Sequence, residues 1–302
     1  MYNGILLLNK EPGFTSHDAV AKLRGILRFR RIGHAGTLDP MAQGLLVMLL
    51  GKATRASEYA SGAEKEYIAD FILGVETDTQ DTTGNVLAEA PVDVTESQLR
   101  QALSSFEGGY DQVPPMYSAI QKDGVRLYDL ARKGKEVERE SRFIALPLLE
   151  LLSFDPPRGK LRVRCSKGTY IRTLCHDLGQ RLGCGGAMSA LTRVQAGDFS
   201  LEDALTLGEV EQLVKEGTLQ QHILPVDSLF ASLPAVTLTE EGAKRARNGA
   251  HAAQKHLLSG AIPPVESLCR VYTPEGEFRM TGKGGLLDMG PPAIFCHKIF
   301  GE

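Results

Sequence analysis

Two kinds of apolar spacing divide the first 200 residues. Gly4–Lys10 is a short unbroken apolar run ending in turn residues, which predicts a strand. Ser16 reads as an N-cap, and Val20, Leu23 and Leu27 follow at the spacing of an amphipathic helix. Leu45–Leu50 is a compact apolar run between Gly44 and Gly51, the signature of a buried strand rather than a helix. Lys65–Leu73 alternates, placing Tyr67, Ala69 and Phe71 on one face. Thr95–Phe106 reads as a capped helix, and Tyr170–Leu182 as a helix stopped by Gly183. Further strands are expected at Val86–Ala90, Ser118–Gln121, Arg142–Phe154 and Lys160–Cys165. This irregular order predicts an α+β domain on a mixed sheet.

A length of 302 residues suggests about two domains, and Pro225 to Pro234 is the expected boundary. The chain beyond it holds a short helix, Thr239–Asn248, and several strand-like runs separated by Pro and Gly turns. We therefore expect units at 1–230 and 231–302, without internal repeats.

Charge changes the picture more than composition does. A formal net charge of −3 and a pI near 6.2 argue against a general polycation that coats nucleic acid. The charge is uneven, however. Residues 116–176 carry thirteen Lys/Arg against seven Asp/Glu, whereas residues 61–111 carry two against eleven. A basic face beside an acidic body suits selective binding of a polyanion. The five cysteines (165, 175, 184, 269 and 296) form no paired framework and read as reduced thiols, with no structural zinc. No leader pattern opens the sequence and no apolar run reaches the length of a membrane span, so a soluble, cytoplasmic protein is expected.

The strongest candidate chemistry lies at Gly33-His34-Ala35-Gly36-Thr37-Leu38-Asp39-Pro40. Two glycines free the backbone for close approach, Pro40 fixes the exit of the turn, and Arg28, Arg30 and Arg31 precede it. A carboxylate so placed suits an anionic substrate, although an Asp-Pro pair also serves simply to cap a turn. Two other patterns are set aside. Gly44 to Gly51-Lys52-Ala53 lacks the spacing and the Ser/Thr of a phosphate-binding loop, and His251 and His256 fall on different helix faces.

The segment at 33–40 resembles the catalytic motif of the TruB-type tRNA pseudouridine-55 synthases, and further blocks keep that family's order. These are Gly4–Lys10 with Gly13-Phe-Thr-Ser16, Lys65-Glu66-Tyr67, and Thr77-Asp-Thr-Gln-Asp81 with Gly84. Pro114-Pro-Met-Tyr-Ser-Ala119 with Gly124–Tyr128 follows, and then Cys165–Leu174. The resemblance spans about residues 4–230. It implies a mainly antiparallel sheet with flanking helices, followed by a small β-rich PUA-like RNA-binding domain. It also implies isomerisation of the T-loop uridine of tRNA by base flipping, with no cofactor and no metal.

By resemblance Asp39 is the nucleophile or charge stabiliser, and Arg172 is its bidentate ion-pair partner. Tyr67 stacks on the flipped uracil, Tyr170 lines the same pocket, and Leu191 is an apolar pocket residue. His34 contacts the RNA, and Lys10 supports the floor of the site. The proline after Lys10 falls one place later than usual, in Lys10-Glu11-Pro12-Gly13, which bears on local loop shape. The basic stretch 122–142 resembles the segment that grips the RNA arm, and a monomer is expected. Two other readings stay open from sequence: an RNA-guided subunit of the same superfamily, and an RNA-folding protein in which catalysis is secondary.

Overall fold

The computed structural model describes residues 2–288 and 290–301. The first strand, β1 (Gly4–Lys10), leads into helix α1 (Ser16–Leu27). The helix is capped by Thr15 rather than Ser16. Thr15 Oγ1 accepts from the Asp18 amide, and the Asp18 carboxylate accepts from the Thr15 amide, forming a capping box. Ser16 is buried and its hydroxyl is used elsewhere, as described below. Strands β2 (Ile32–Ala35) and β3 (Gln43–Leu50) follow, with Asp39 in the loop between them. Next come β4 (Lys65–Leu73) and helix α2 (Glu96–Ser104), the latter capped by Thr95.

Among the described residues, strand β5 (Tyr110–Gln112) pairs only with β6 (Arg142–Ile144). β7 (Leu148–Asp155) and β8 (Arg158–Cys165) return to the main sheet. The single strand expected at Arg142–Phe154 is thus two strands in two sheets, broken at Pro147, which has no amide to continue a ladder. The strand expected at Ser118–Gln121 is a bend in which the Ser118 amide bonds to Met116 O; extended pairing starts only at Gln121. Helix α3 (Ile171–Leu182) closes on Gly183 at φ +76°, with Tyr170 as its N-cap residue. β9 (Gly186–Ala196) and helix α4 (Leu207–Glu216) complete this part, and neither was expected from the sequence pattern.

The main sheet runs β1-β3-β9-β4-β8-β7. Its pairings along this path are antiparallel except β9 with β3. The apolar runs of β1 and β3 are unbroken because both faces of these strands are covered. Leu6, Leu8, Leu46 and Met48 enter one core, with Val20 and Leu23 of α1 and Leu174 and Leu178 of α3. Ile5, Leu7, Leu45 and Val47 enter a second core, with Phe230 and Phe300.

The rest of the chain forms a second sheet. It contains β10 (Ala235–Leu238), followed by helix α5 (Glu240–Arg247), then β11 (Ala252–Ala253) and β12 (Leu257–Ser259). β13 (Leu268–Tyr272), β14 (Phe278–Leu286) and β15 (Pro292–Ile299) complete it in the order β11-β15-β14-β13-β10-β12. Val236, Leu238, Val271, Met280 and Ile294 make a third core of its own. Phe278 and Phe300 pack on Phe230 at 5.9 and 5.5 Å, joining the two sheets through aromatic contacts. Among the described residues no helix is long and apolar enough to cross a membrane.

Candidate active site

The β2–β3 loop is pinned from three sides, which fixes where Asp39 sits. The Ser16 hydroxyl accepts from the Leu38 amide at 2.9 Å and donates to Leu38 O at 3.2 Å. On the exit side the Gly13 amide and Lys10 Nζ both donate to Pro40 O, at 2.8 and 3.5 Å. On the entry side Arg193 Nη2 donates to Gly36 O at 3.0 Å and Nη1 to Thr37 O at 3.5 Å. Gly36 has φ +79°, a conformation that glycine adopts without the steric penalty of a side chain.

The loop forms one wall of a cleft of about 430 Å³. Asp39, Tyr67, Tyr170, Arg172 and Leu191 all line it, so residues distant in sequence meet at one place. Tyr67 on β4 and Leu191 and Arg193 on β9 form the floor. Leu191 is opposite Ala69, and Arg193 is opposite Tyr67 in the antiparallel ladder. Lys10 and His34 do not line the cleft. Lys10 is buried behind the loop, its ammonium donating to the carbonyls of Glu11, Phe14 and Pro40. His34 on β2 is half-buried, edge-on to His17 at 5.3 Å.

Arg172, in the first turn of α3, reaches Asp39 with Nε at 2.8 Å from Oδ2. This is the closest approach between the two groups. The terminal nitrogens are engaged elsewhere: Nη1 donates to Thr79 O and Nη2 to Tyr117 O, each at 3.0 Å. Nη1 also faces Asp81 Oδ2 at 3.8 Å. Asp81 is itself buried and fixed by Thr79 and Thr83, whose hydroxyls donate to Oδ1. Arg172 is only 6% exposed while Asp39 is 38% exposed, so the cation is held by protein and the carboxylate remains open to a ligand.

Four cationic side chains, Lys10, Lys65, Arg172 and Arg193, stand around the Asp39 loop and the cleft. Burial brings Lys10 down to about 8, partly opposed by the Asp39 charge. Burial also brings Lys65 down to about 8, with Arg193 adding to the effect. Burial pushes the Tyr67 and Tyr170 phenols up, opposed at Tyr67 by Arg193 and at Tyr170 partly by Arg172. His34 is pushed down, first by burial and then by His17 and Arg193. The arrangement can hold a flat, neutral ring against Tyr67 and present an anion to it beside two neutral phenols.

Arg193 was not expected as a site residue. It is 1% exposed, and its Nε donates to Leu45 O at 2.7 Å while the rest of the guanidinium holds the Asp39 loop. The signal available in the sequence was its position two residues beyond Leu191, hence on the same face of a strand. Asp81 was visible as part of a motif, but its service to Arg172 depends on a contact across 91 residues.

An aspartate held by a buried arginine over an aromatic and aliphatic floor, on a largely antiparallel sheet, is the arrangement that the resemblance to the pseudouridine synthases implies. Residues 24–171 match the model of the TruB family pseudouridylate synthase N-terminal domain, and residues 172–231 match that of the tRNA pseudouridylate synthase B C-terminal domain. The chain belongs to the TruB family of pseudouridylate synthases. It is 52% identical to a tRNA pseudouridine synthase B of Opitutus terrae over 225 residues, covering 74% of this chain and 93% of that protein. It is 40% identical to a protein of the same name from Syntrophotalea carbinolica over 291 residues, covering 95% and 91%. Among solved structures, a chain in the crystal structure of a Cbf5-Nop10-Gar1 complex superposes with a TM-score of 0.76 at 28% identity, covering 98% of this chain and 84% of that one.

Proposed function

We propose that this chain converts the T-loop uridine of tRNA, position 55, to pseudouridine, acting alone and without a cofactor. The observation that carries the reading is the Asp39–Arg172 pair set against the Tyr67 and Leu191 floor. The reaction breaks the bond from uracil N1 to the ribose, turns the base, and joins C5 to the same ribose carbon. Nothing is oxidised or imported, so the protein must supply a place, an anion and a route for one proton.

The target base has to leave its stack to reach the cleft, at a cost of a few kcal/mol. Stacking on the Tyr67 ring returns about 1–3 kcal/mol of that. Asp39 then supplies the anion, as nucleophile or as stabiliser of charge developing on the sugar. Arg172 orients the carboxylate through a charge-assisted contact. A neutral phenol, Tyr67 or Tyr170, is placed to carry the proton that must leave C5.

Recognition of the RNA falls to surfaces around the cleft. Residues 122–142 carry seven Lys/Arg, and Tyr128, which lines the cleft, is flanked by Arg126 and Arg132 at 5.7 and 5.5 Å from its ring. Such cations position a phosphate backbone without reading sequence. Residues 1–230 form the catalytic unit in this reading, and 231–302 a PUA-like RNA-binding unit with its own core. The stand-alone form is favoured by the match to relatives named tRNA pseudouridine synthase B over most of their length. The Cbf5 chain, in contrast, is described in a complex with Nop10 and Gar1.

The test is to incubate purified protein with a tRNA transcript and map pseudouridine by carbodiimide-dependent primer-extension stops. A stop at position 55 alone is the expected result. Product that forms only when partner proteins and a guide RNA are added would overturn the stand-alone reading.

A further inference from the structure

Tyr170 has its backbone clamped at both ends by one buried side chain. Gln112, 2% exposed, accepts from the Tyr170 amide through Oε1 at 2.8 Å and donates from Nε2 to Tyr170 O at 3.0 Å. The same Nε2 donates to the Tyr110 hydroxyl oxygen at 2.8 Å, and that hydroxyl donates to Asp177 Oδ2 at 2.8 Å. Asp177 lies on α3, two turns beyond Tyr170.

The direction of each bond follows from chemistry. An ionised carboxylate only accepts, so Asp177 makes the Tyr110 hydroxyl a donor and leaves its oxygen as an acceptor. That acceptor turns the Gln112 amide so that its NH₂ faces Tyr110. The carbonyl oxygen is then left for the Tyr170 amide, and the second NH₂ hydrogen for the Tyr170 carbonyl. Each polar atom has one satisfactory orientation, which is how a buried network specifies a single geometry.

We infer that Gln112, oriented through Tyr110 by Asp177, is a positioning residue that sets Tyr170 and the first turn of α3, and thereby the aim of Arg172 at Asp39. The clamp acts where the chain enters α3, two residues before Arg172. It comes from the small β5–β6 sheet, outside the main sheet that carries Tyr67 and Leu191. The clamp thus ties the helix side of the cleft to an element independent of the floor. This inference rests on the proposed pseudouridine synthesis.

The test compares wild type with Gln112→Glu and Gln112→Asn in single-turnover and steady-state assays on a T-arm RNA, with melting curves. Glu retains the acceptor for the Tyr170 amide but faces Tyr170 O and the Tyr110 oxygen without a donor. Asn keeps the chemistry and is one methylene too short to meet both Tyr170 groups. Both variants are expected to lose about 100-fold in kcat with KM within threefold, the scale of a misplacement near 1 Å. The Glu variant is expected to melt cooperatively. A kcat within threefold of wild type in either folded variant overturns the inference, as does a loss seen only in KM. Activity that falls merely in step with a lost melting transition in both variants also overturns it. If wild type itself makes no pseudouridine, it is the proposed function that fails.

Discussion

Arg172 Nε stands 2.8 Å from Asp39 Oδ2 while the rest of its guanidinium is bound to the Thr79 and Tyr117 carbonyls. The arginine is therefore built into the protein frame while its Nε meets the carboxylate. Lysine has no fork with which to hold these carbonyls and the carboxylate together. Arg172→Lys is expected to lower kcat by about 100-fold or more, the scale of losing one preorganised donor, with RNA affinity retained. Single-turnover rates and filter binding on the same variant check both halves.

Arg193 tests whether the loop needs its fastening. Arg193→Met removes the donors to Leu45, Gly36 and Thr37 and leaves the Leu45 carbonyl without its partner in a buried place. Each unmet buried acceptor costs about 1–3 kcal/mol, so the variant should melt well below wild type. It should also lose turnover at temperatures where it remains folded, because Asp39 is no longer held.

Gly44 shows a constraint of backbone approach. It has φ +98° and pairs with Arg193 where β3 and β9 run parallel, and an added Cβ would strike the Arg193 carbonyl. Gly44→Ala is expected to cost about 2 kcal/mol or more, read as a lower melting temperature. Unchanged melting would show that the two strands can part without consequence.

Phe230 packs against Tyr59, Phe278 and Phe300. Phe230→Ala should destabilise by about 3–5 kcal/mol through the cavity it leaves. The melting transition is the measurement, and the loss should accompany greater protease sensitivity near residue 230.

The tyrosines give the protein an alkaline signature. Burial raises Tyr67 and Tyr170 above the ordinary value of 10.0, so the folded state favours the neutral phenol. Their contribution is complete below pH 10 and is lost as pH rises through the folded-state values, because the unfolded chain releases these protons first. Tyr67→Phe should therefore flatten the fall in stability above pH 10 relative to wild type. Denaturant midpoints measured from pH 8 to 11 would reveal a parallel fall if this account of Tyr67 is wrong.

Much of this was readable from the sequence because local rules agreed with tertiary demand. The unbroken apolar runs of β1 and β3 announce strands covered on both faces, and the Asp39 turn declares itself through Gly36 and Pro40. β9 was missed because it does not look apolar: Ser189, Thr192, Arg193 and Gln195 interrupt it, and bulges at Met188/Ala190 and Arg193/Gln195 shift its alternation. Its place in the middle of the sheet comes from pairing with β4, a contact more than 100 residues away. The anchoring of Arg172 was invisible for a similar reason: Nη1 and Nη2 donate to main-chain carbonyls, whose positions no sequence motif encodes.

The central claim is that Asp39 carries the isomerisation. The most direct measurement is tritium release from a T-arm RNA labelled at uridine C5, with wild-type protein and Asp39→Asn, which removes the charge while nearly preserving shape. One tritium released per RNA by wild type, and none by an Asp39→Asn protein that still binds the RNA, is the predicted result. Release by Asp39→Asn at the wild-type rate would contradict it.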